Sequence, residues 1–350
     1  MLLELGCAFN RKGTMVVVGW SKIALLVLLV LAVTRPVVTV GQSDQADRVY
    51  RIGFLAFGPR PLSTAATTSP LMAFRQTLRE RGYVEGENLI LDERWAEARL
   101  NRLPILAAEL VQLKPDIIVA SGASAVRAAM RETSEIPIII AGAPDPVAQG
   151  LVSSLAHPDA NVTGIAALPG RELEGKRLQL LQQAIPGVVR VAVIMDSTSR
   201  LDPTPLQVAA KALGITLLFS GETESPEEFR NTFAEMVRDR ADAVYAPETP
   251  INVRQRRLIV ELALEHRLPT IYGSREYVEA GGLMSYGPSF SELFRRAAIY
   301  TDRILKGAAP SELPVEQPMH FEFVVNKRAA KLLELSLPGV ILIQADRVIQ

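Results

Sequence analysis

From Tyr50 onward, short unbroken apolar runs alternate with longer amphipathic segments. The pattern predicts strands over 51–57, 88–94, 116–120 and 136–141, with helices over 71–81, 100–113 and 123–131 between them. One junction is especially clear: PDIIVA runs straight into SGASAVRAAM, a strand, a small-residue turn and a helix start. Strands made of continuous Ile and Val, rather than of alternating residues, belong to a parallel sheet covered on both faces. Strand–helix alternation at this spacing predicts a doubly wound α/β unit.

The pattern then restarts, with strands predicted over 190–195, 215–220, 242–246 and 270–272 and helices over 206–213, 227–238, 253–266 and 275–280. Residues 150–186, containing NVTG and a helix over 173–184, connect the two halves. The tail holds an amphipathic helix over 290–305, a loop over 307–314, a strand over 321–325, a short helix over 327–333 and a final stretch of mixed polarity. So few elements cannot form a third domain and must pack on the existing halves. The chain would then cross between halves more than once, as hinged two-lobe proteins do. The boundaries expected are lobe 1 over 48–148 with 288–315 returning to it, and lobe 2 over 149–287 with 316–350 returning to it.

Ahead of the first strand, residues 23–33 form an apolar run of eleven, IALLVLLVLAV. A bilayer span needs roughly 20. Arg11, Lys12 and Lys22 precede the run, and small residues up to Gly41 follow it. This is the layout of a secretory signal peptide over 1–41, cleaved after Gly41; Met15 would serve equally well as its start. An uncleaved N-terminal anchor is the alternative. The only cysteine, Cys7, lies upstream of the run, outside the usual order of a lipoprotein attachment site.

Charge and composition narrow the function classes. Lys plus Arg and Asp plus Glu are equal at 38 each, and no long basic run occurs, which argues against a nucleic-acid partner. One cysteine excludes a disulfide framework and a cysteine-based zinc site. The first strand is followed by FLAFGPRP rather than G-x-G-x-x-G, and no P-loop occurs. Ser124 sits in Gly-Ala-Ser-Ala-Val, which lacks the last glycine of a nucleophile elbow. His157, His266 and His320 are far apart and read as surface or capping residues, so no metal site is expected. The residues point to binding rather than to catalysis, with no cofactor.

In open α/β sheets ligands sit beyond the carboxyl ends of the strands. Here those positions are Phe57–Gly58, Ser121 to Ser124, Ala143 to Asp145, Asp196–Ser197, Pro247–Glu248 and Tyr272 to Glu276. Ser121, Gly122, Ala123 and Ser124 place amides and two hydroxyls at a helix N-terminus, a seat for a carboxylate; an ordinary serine cap is the structural alternative. Asp145, between two prolines, and Asp196, Glu248 and Glu276 are candidates to pair with a ligand ammonium, against the plainer role of helix capping or a solvated loop. Phe57, Tyr245, Tyr272, Tyr277 and Tyr286 are candidate aromatic walls or core residues.

RGYVEGENL, DPVAQGLV, NVTG, AGGLMSYGP and DRILKGAAPSELPVEQP, in this order, resemble one family. It is the ABC-transporter substrate-binding protein family that includes tryptophan- and other aromatic-amino-acid-binding members. The resemblance covers about Arg51 to Gln350. It implies a type I periplasmic-binding-protein fold, two Rossmann-like lobes joined by three crossovers. It also implies a solute, an amino acid or related carboxylate, delivered to a membrane permease powered by a separate ATPase. By matching position, Ser121, Ala123, Ser124 and Asp145 are first-lobe contacts; Asp196, Glu248, Tyr272 and Glu276 are second-lobe contacts. SGASAV departs from the Gly-Thr-Pro-like turn of many relatives, which leaves the carboxylate seat intact but not a particular ligand. The expectation is an exported, monomeric, periplasmic solute receptor; the alternative is a sensor presenting its solute to a membrane receptor.

Overall fold

The computed structural model describes residues 48–58, 60, 69–158, 161–168, 172–196 and 203–350. The proposed signal peptide lies outside them. Among the described residues, no helix is long and apolar enough to cross a membrane. Residues Val49–Gln350 form one compact unit built on two sheets.

The first sheet has five parallel strands in the order β2-β1-β3-β4-β5: β1 Tyr50–Ala56, β2 Leu89–Trp95, β3 Ile117–Ser121, β4 Ile138–Pro144 and β5 Val162–Leu168. Helices α1 Pro70–Glu80, α2 Leu103–Gln112 and α3 Ala123–Glu132 connect them. Burial on both faces explains the continuous apolar runs. In β3, Ile117 and Val119 face a core layer with Phe54, Phe74 and Leu78, while Ile118 and Ala120 face another with Leu106, Leu110 and Val126.

The second sheet has the order β12-β11-β10-β9-β8-β6-β7. Its strands are β6 Arg190–Met195, β7 Thr216–Glu222, β8 Ala243–Ala246, β9 Thr270–Tyr272, β10 Met284–Pro288, β11 Phe321–Asn326 and β12 Arg347–Ile349; only the β10–β11 pair is antiparallel. The helices of this half are α4 Glu172–Ala184, α5 Thr204–Leu213, α6 Pro226–Arg238, α7 Pro250–Arg254, α8 Arg256–Glu265 and α9 Arg275–Glu279. The N-terminus of α6 carries a full capping box, Ser225 with Glu228. Val191, Val193, Tyr245 and Ile271 face one core layer, and Ala192, Ile194, Val244 and Tyr272 the other.

The chain passes between the sheets three times: from β5 to α4, from β10 to α10 (Phe290–Leu305), and from Glu316 to β11. Helix α10 packs on the first sheet through Leu293, Phe294, Ala297, Tyr300 and Ile304, one helical face. It is anchored by the buried Asp302, which accepts from Arg81 Nη1 at 2.6 Å and Tyr83 Oη at 3.1 Å and pairs with Lys306 Nζ at 2.7 Å. Beyond α10 the chain joins the edge of β5, where Thr163 Oγ1 donates to Leu313 O (2.6 Å) and Glu316 N to Gly164 O (2.9 Å). The final helices α11 Lys327–Leu332 and α12 Gly339–Gln344 lie with the second sheet through Ala329, Ala330 and Ile341.

Two expectations are corrected here. A second lobe beginning at 149 fails, because NVTG opens β5, a strand hydrogen-bonded into the first sheet. Gly164 makes that pairing possible: at φ 137° a Cβ would lie 2.4 Å from Ile140 O, so only glycine lets the strands approach. The first crossing therefore falls after Leu168. Second, AGGLMSYGP and the tail hold the strands β10 and β12, which the apolar pattern did not predict. Both are short and carry Gly or polar residues that mask a strand signal.

Candidate functional site

In the first lobe, β1 and β3 end in register, Ala56 beside Ser121, while β4 runs from Ala141 beside Ser121 on to Pro144. Phe57 is buried in the core layer that also holds Leu103 and Leu106 of α2, a core residue rather than an open aromatic wall. Ser121 closes β3, and Gly122, at φ 85°, turns the chain into α3. The Gly122 carbonyl accepts from Ala125 and Val126 (both 3.1 Å). Among the described residues the amides of Ala123 and Ser124 meet no backbone carbonyl. They are the orphan donors of a helix start. Asp145 is exposed at φ 33°, and its Oδ1 accepts from Ala148 N at 3.0 Å. It thus caps its own turn. Arg127, which sequence reasoning missed, ties α3 to that turn through Gln149 O (2.9 Å) and Oε1 (3.1 Å).

The second-lobe candidates fall into one cluster because β8 and β9 are adjacent, with Ala246 beside Tyr272. The turns after those strands, carrying Glu248 and Ser274 to Tyr277, therefore lie side by side. Gly273 permits the contact: a Cβ there would sit 2.8 Å from Glu248 Cβ and 3.0 Å from its Oε2. Glu248 Oε2, both Glu276 carboxylate oxygens, Ser274 Oγ and the Tyr277 hydroxyl are buried without a hydrogen-bond partner. Burial first, and then the Glu276 charge, push the Glu248 carboxyl up to about 8. Burial also raises Glu276. Ser274 lies near both carboxylates yet makes no aligned hydrogen bond with either.

Asp196 and Tyr272 sit at the same strand ends but are engaged internally. Asp196 is buried and accepts a hydrogen bond from Thr249 Oγ1. Thr249 in turn caps α7 by accepting from Asn252 N at 3.1 Å. Tyr272 is buried and stacks on Tyr277 at 4.7 Å with an interplanar angle of 14°. Burial raises the pKa of both rings' hydroxyls, that of Tyr277 further through the Glu248 charge.

The sequence reading also missed Arg177. This buried side chain on α4 donates to Tyr286 O (2.7 Å), Tyr245 Oη (2.9 Å) and Gly273 O (3.4 Å), with Glu174 at 3.7 Å as its ion partner. Burial works against its charge, but Tyr245, Glu174 and Glu248 outweigh it and raise its pKa. Tyr245 is thereby a structural partner rather than a free wall, and Tyr286 packs on Phe321 and Phe323. No signal in the sequence distinguished Arg177, since its hydrogen-bond partners are 68 to 109 residues away.

Among the described residues no group of His, Cys, Asp or Glu is placed to hold a metal ion. His157 and His320 are exposed, and His266 stacks on Phe233 at 6.2 Å.

Two parallel-sheet lobes with three crossings and polar turns at the strand ends define the type I periplasmic-binding-protein fold. The profile of the ABC transporter substrate binding protein family matches residues 61–349, and the chain belongs to that family. The function of the family is capture of a small solute for a transporter. A tyrosine-binding protein of Clostridioides difficile is 26% identical over 265 residues, 75% of each chain. A solved ABC domain from Streptococcus pneumoniae in complex with L-Trp is 24% identical with a TM-score of 0.77, covering 86% of this chain and all (100%) of that one. A conserved domain protein from Vibrio cholerae is also 24% identical, with a TM-score of 0.76 over 86% of this chain and 100% of its own.

Proposed function

We propose that this chain is an exported, monomeric, non-enzymatic solute receptor of an ABC importer, and that its solute is an amino acid. Residues 49–168 with 290–316 form one lobe, and 172–288 with 321–350 form the other. The solute is held between them at Ser121, Ala123, Ser124 and Asp145 on one side and Glu248 and Glu276 on the other, with Tyr272 behind them through its stack on Tyr277. Asp196 acts one step back, through Thr249, and Phe57 from beneath. Unpartnered polar groups at the strand ends of both lobes carry the reading. Orphan amides at the start of α3 suit a carboxylate, and the helix dipole adds about 0.3–1 kcal/mol. The relatives that bind tyrosine and L-Trp support the amino-acid class.

In this reading residues 1–41 direct export to the periplasm, and closure about the three crossings traps the solute before a membrane permease, driven by a separate ATPase, receives it. The test is a thermal-shift screen of the protein expressed from its full coding sequence, against amino acids, small carboxylates, purines and sugars. A ligand that binds only the folded state raises Tm. A shift with amino acids is expected; shifts confined to sugars or purines refute the solute class, and none at all refutes solute binding.

A further inference from the structure

We propose that Arg275 is a positioning residue for solute capture. Through its hydrogen bond to Ser291 it ties the binding turn of the second lobe to the first turn of α10, and so fixes the lobe angle at which a solute is retained. The inference rests on the solute-receptor reading above and adds to it the side chain that couples the site to the crossings.

The second crossing has almost no length. Strand β10 ends at Pro288 and α10 begins at Phe290, which leaves Ser289 alone between them. The Ser289 carbonyl is already bound into α10, accepting from Glu292 N (2.9 Å) and Leu293 N (3.0 Å). On the other side Pro288 is paired with Phe321 of β11, and its ring fixes its own φ. Rotation of one lobe on the other at this crossing therefore falls on two dihedrals, ψ of Pro288 and φ of Ser289.

Arg275 bridges that point. It opens α9, between Ser274 and Glu276, and its side chain is 15% exposed. Two carboxylates hold it in the second lobe: Glu279 on its own helix (3.9 Å) and Glu322 on β11 (3.6 Å). Glu279 is shared with Arg347 (3.2 Å). Glu322 pairs with Gly287 and lies one residue past the start of β11, where the third crossing ends. From this anchorage Nη2 reaches into the first lobe and donates to Ser291 Oγ at 2.8 Å. Ser291 is 3% exposed, on a helix that packs against the first sheet. One guanidinium, with its donors in a fixed fork, thus joins the ends of two crossings.

The binding turn and β10 form one rigid piece. Gly287 approaches the turn so closely that a Cβ there would lie 1.8 Å from Gly273 O. Arg177 fastens the same two segments, donating to Gly273 O (3.4 Å) and Tyr286 O (2.7 Å). A displacement of the turn that carries Ser274 and Glu276 is therefore felt at the crossing. Ser291, two residues beyond Ser289, lies about 5–6 Å from the pivot, so a lobe rotation of about 10° displaces it by about 1 Å. The 2.8 Å bond thus leaves hydrogen-bonding range within about 10–15° of rotation. The angle it selects is the one at which Glu248 Oε2, both Glu276 oxygens and Ser274 Oγ are shut from solvent. A solute seated on those groups and the Arg275–Ser291 bond bias the same two-state equilibrium in the same direction.

The experiment compares the full-length protein with Ser291→Ala and Arg275→Lys by surface plasmon resonance against L-tyrosine and L-tryptophan, and by small-angle X-ray scattering without solute. Ser291→Ala removes only the first-lobe partner. It should raise koff and Kd together about five- to twentyfold and leave kon unchanged, because the loss falls on the retained complex. Arg275→Lys keeps the charge but not the fork, and should behave in the same way. Without solute, both variants should show a wider spread of inter-lobe distances than the wild type. A wild-type koff in Ser291→Ala, or full rescue by lysine, overturns the coupling and leaves the solute-receptor reading standing. If no amino acid binds the wild type, that reading fails by itself and the scattering still decides. A wider spread in both variants then supports the lobe-fixing role, and profiles identical to the wild type overturn it.

Discussion

Replacing Glu248 by Gln tests the electrostatics of the second lobe without removing any packing volume. The carboxyl is pushed up to about 8 in the folded protein, from an unfolded value of 4.5, chiefly by burial and next by Glu276. A group whose folded pKa is raised supports the fold fully below its unfolded pKa, and that support is lost as pH rises toward the folded value. The window is therefore pH 4.5 to 8. At pH 7 the unfolded chain has ionised while the folded protein still holds the proton, a difference of about 3 kcal/mol at 1.36 kcal/mol per unit. Glu248 is only partly buried as a residue, and solvent screening brings the expectation to about 2 kcal/mol. Gln carries no proton to lose. The variant should match the wild type in Tm near pH 5 and exceed it by about 4–8 °C near pH 8, at roughly 2–4 °C per kcal/mol for a chain of this size. Differential scanning calorimetry at pH 5, 6, 7 and 8 reads this directly. A difference that is flat with pH, or one that favours the wild type at pH 8, refutes the assignment of a strained carboxyl at this position.

Three further outcomes follow from particular contacts. Arg177→Met should destabilise the protein by about 3–5 kcal/mol, because Glu174 is left uncompensated and three acceptors lose their donor; denaturant midpoints measure it. Gly164→Ala places a Cβ 2.4 Å from Ile140 O at a φ of 137°, and should cost more than about 2 kcal/mol or prevent folding, by the same measurement. Asp302 is partly opposed by burial, but Lys306, Arg81 and Tyr83 hold its carboxylate below the usual range. Its stabilisation is present above pH 3.8 and lost as pH falls through the folded value, so Asp302→Asn should destabilise at pH 7 by about 1–3 kcal/mol and less in strong acid, read from unfolding curves at both pH values.

Much of the frame was legible in the chain because burial on both sheet faces leaves a mark that no partner can alter. The runs at β1, β3, β4, β6 and β8 stand out as apolar stretches, and the face of α10 at helical spacing. What failed were strands whose signal depends on the neighbour. Val162–Leu168 reads as a connection until Ile140 is beside Gly164, and Met284–Pro288 reads as a turn until β9 and β11 flank it.

The candidate site divides in the same way. Its location at strand ends follows from the pattern of runs, and Ser121 to Ser124 and Asp145 fall where the sequence put them. The state of each side chain does not follow. Asp145 caps its own turn, Asp196 is engaged by Thr249, and Tyr245 serves Arg177. Glu248 and Glu276 are 28 positions apart in number, and the sequence marks each as a strand-end acid without distinguishing a ligand contact from a helix cap or a solvated loop. Only the pairing of Ala246 with Tyr272 sets their turns together and strips them of water. Local hydrophobic periodicity thus determined most of the strands and helices, with β5, β10 and β12 the exceptions. Tertiary structure alone decided which polar groups at those ends were satisfied and which were left open, because burial and charge proximity are properties of neighbours in space.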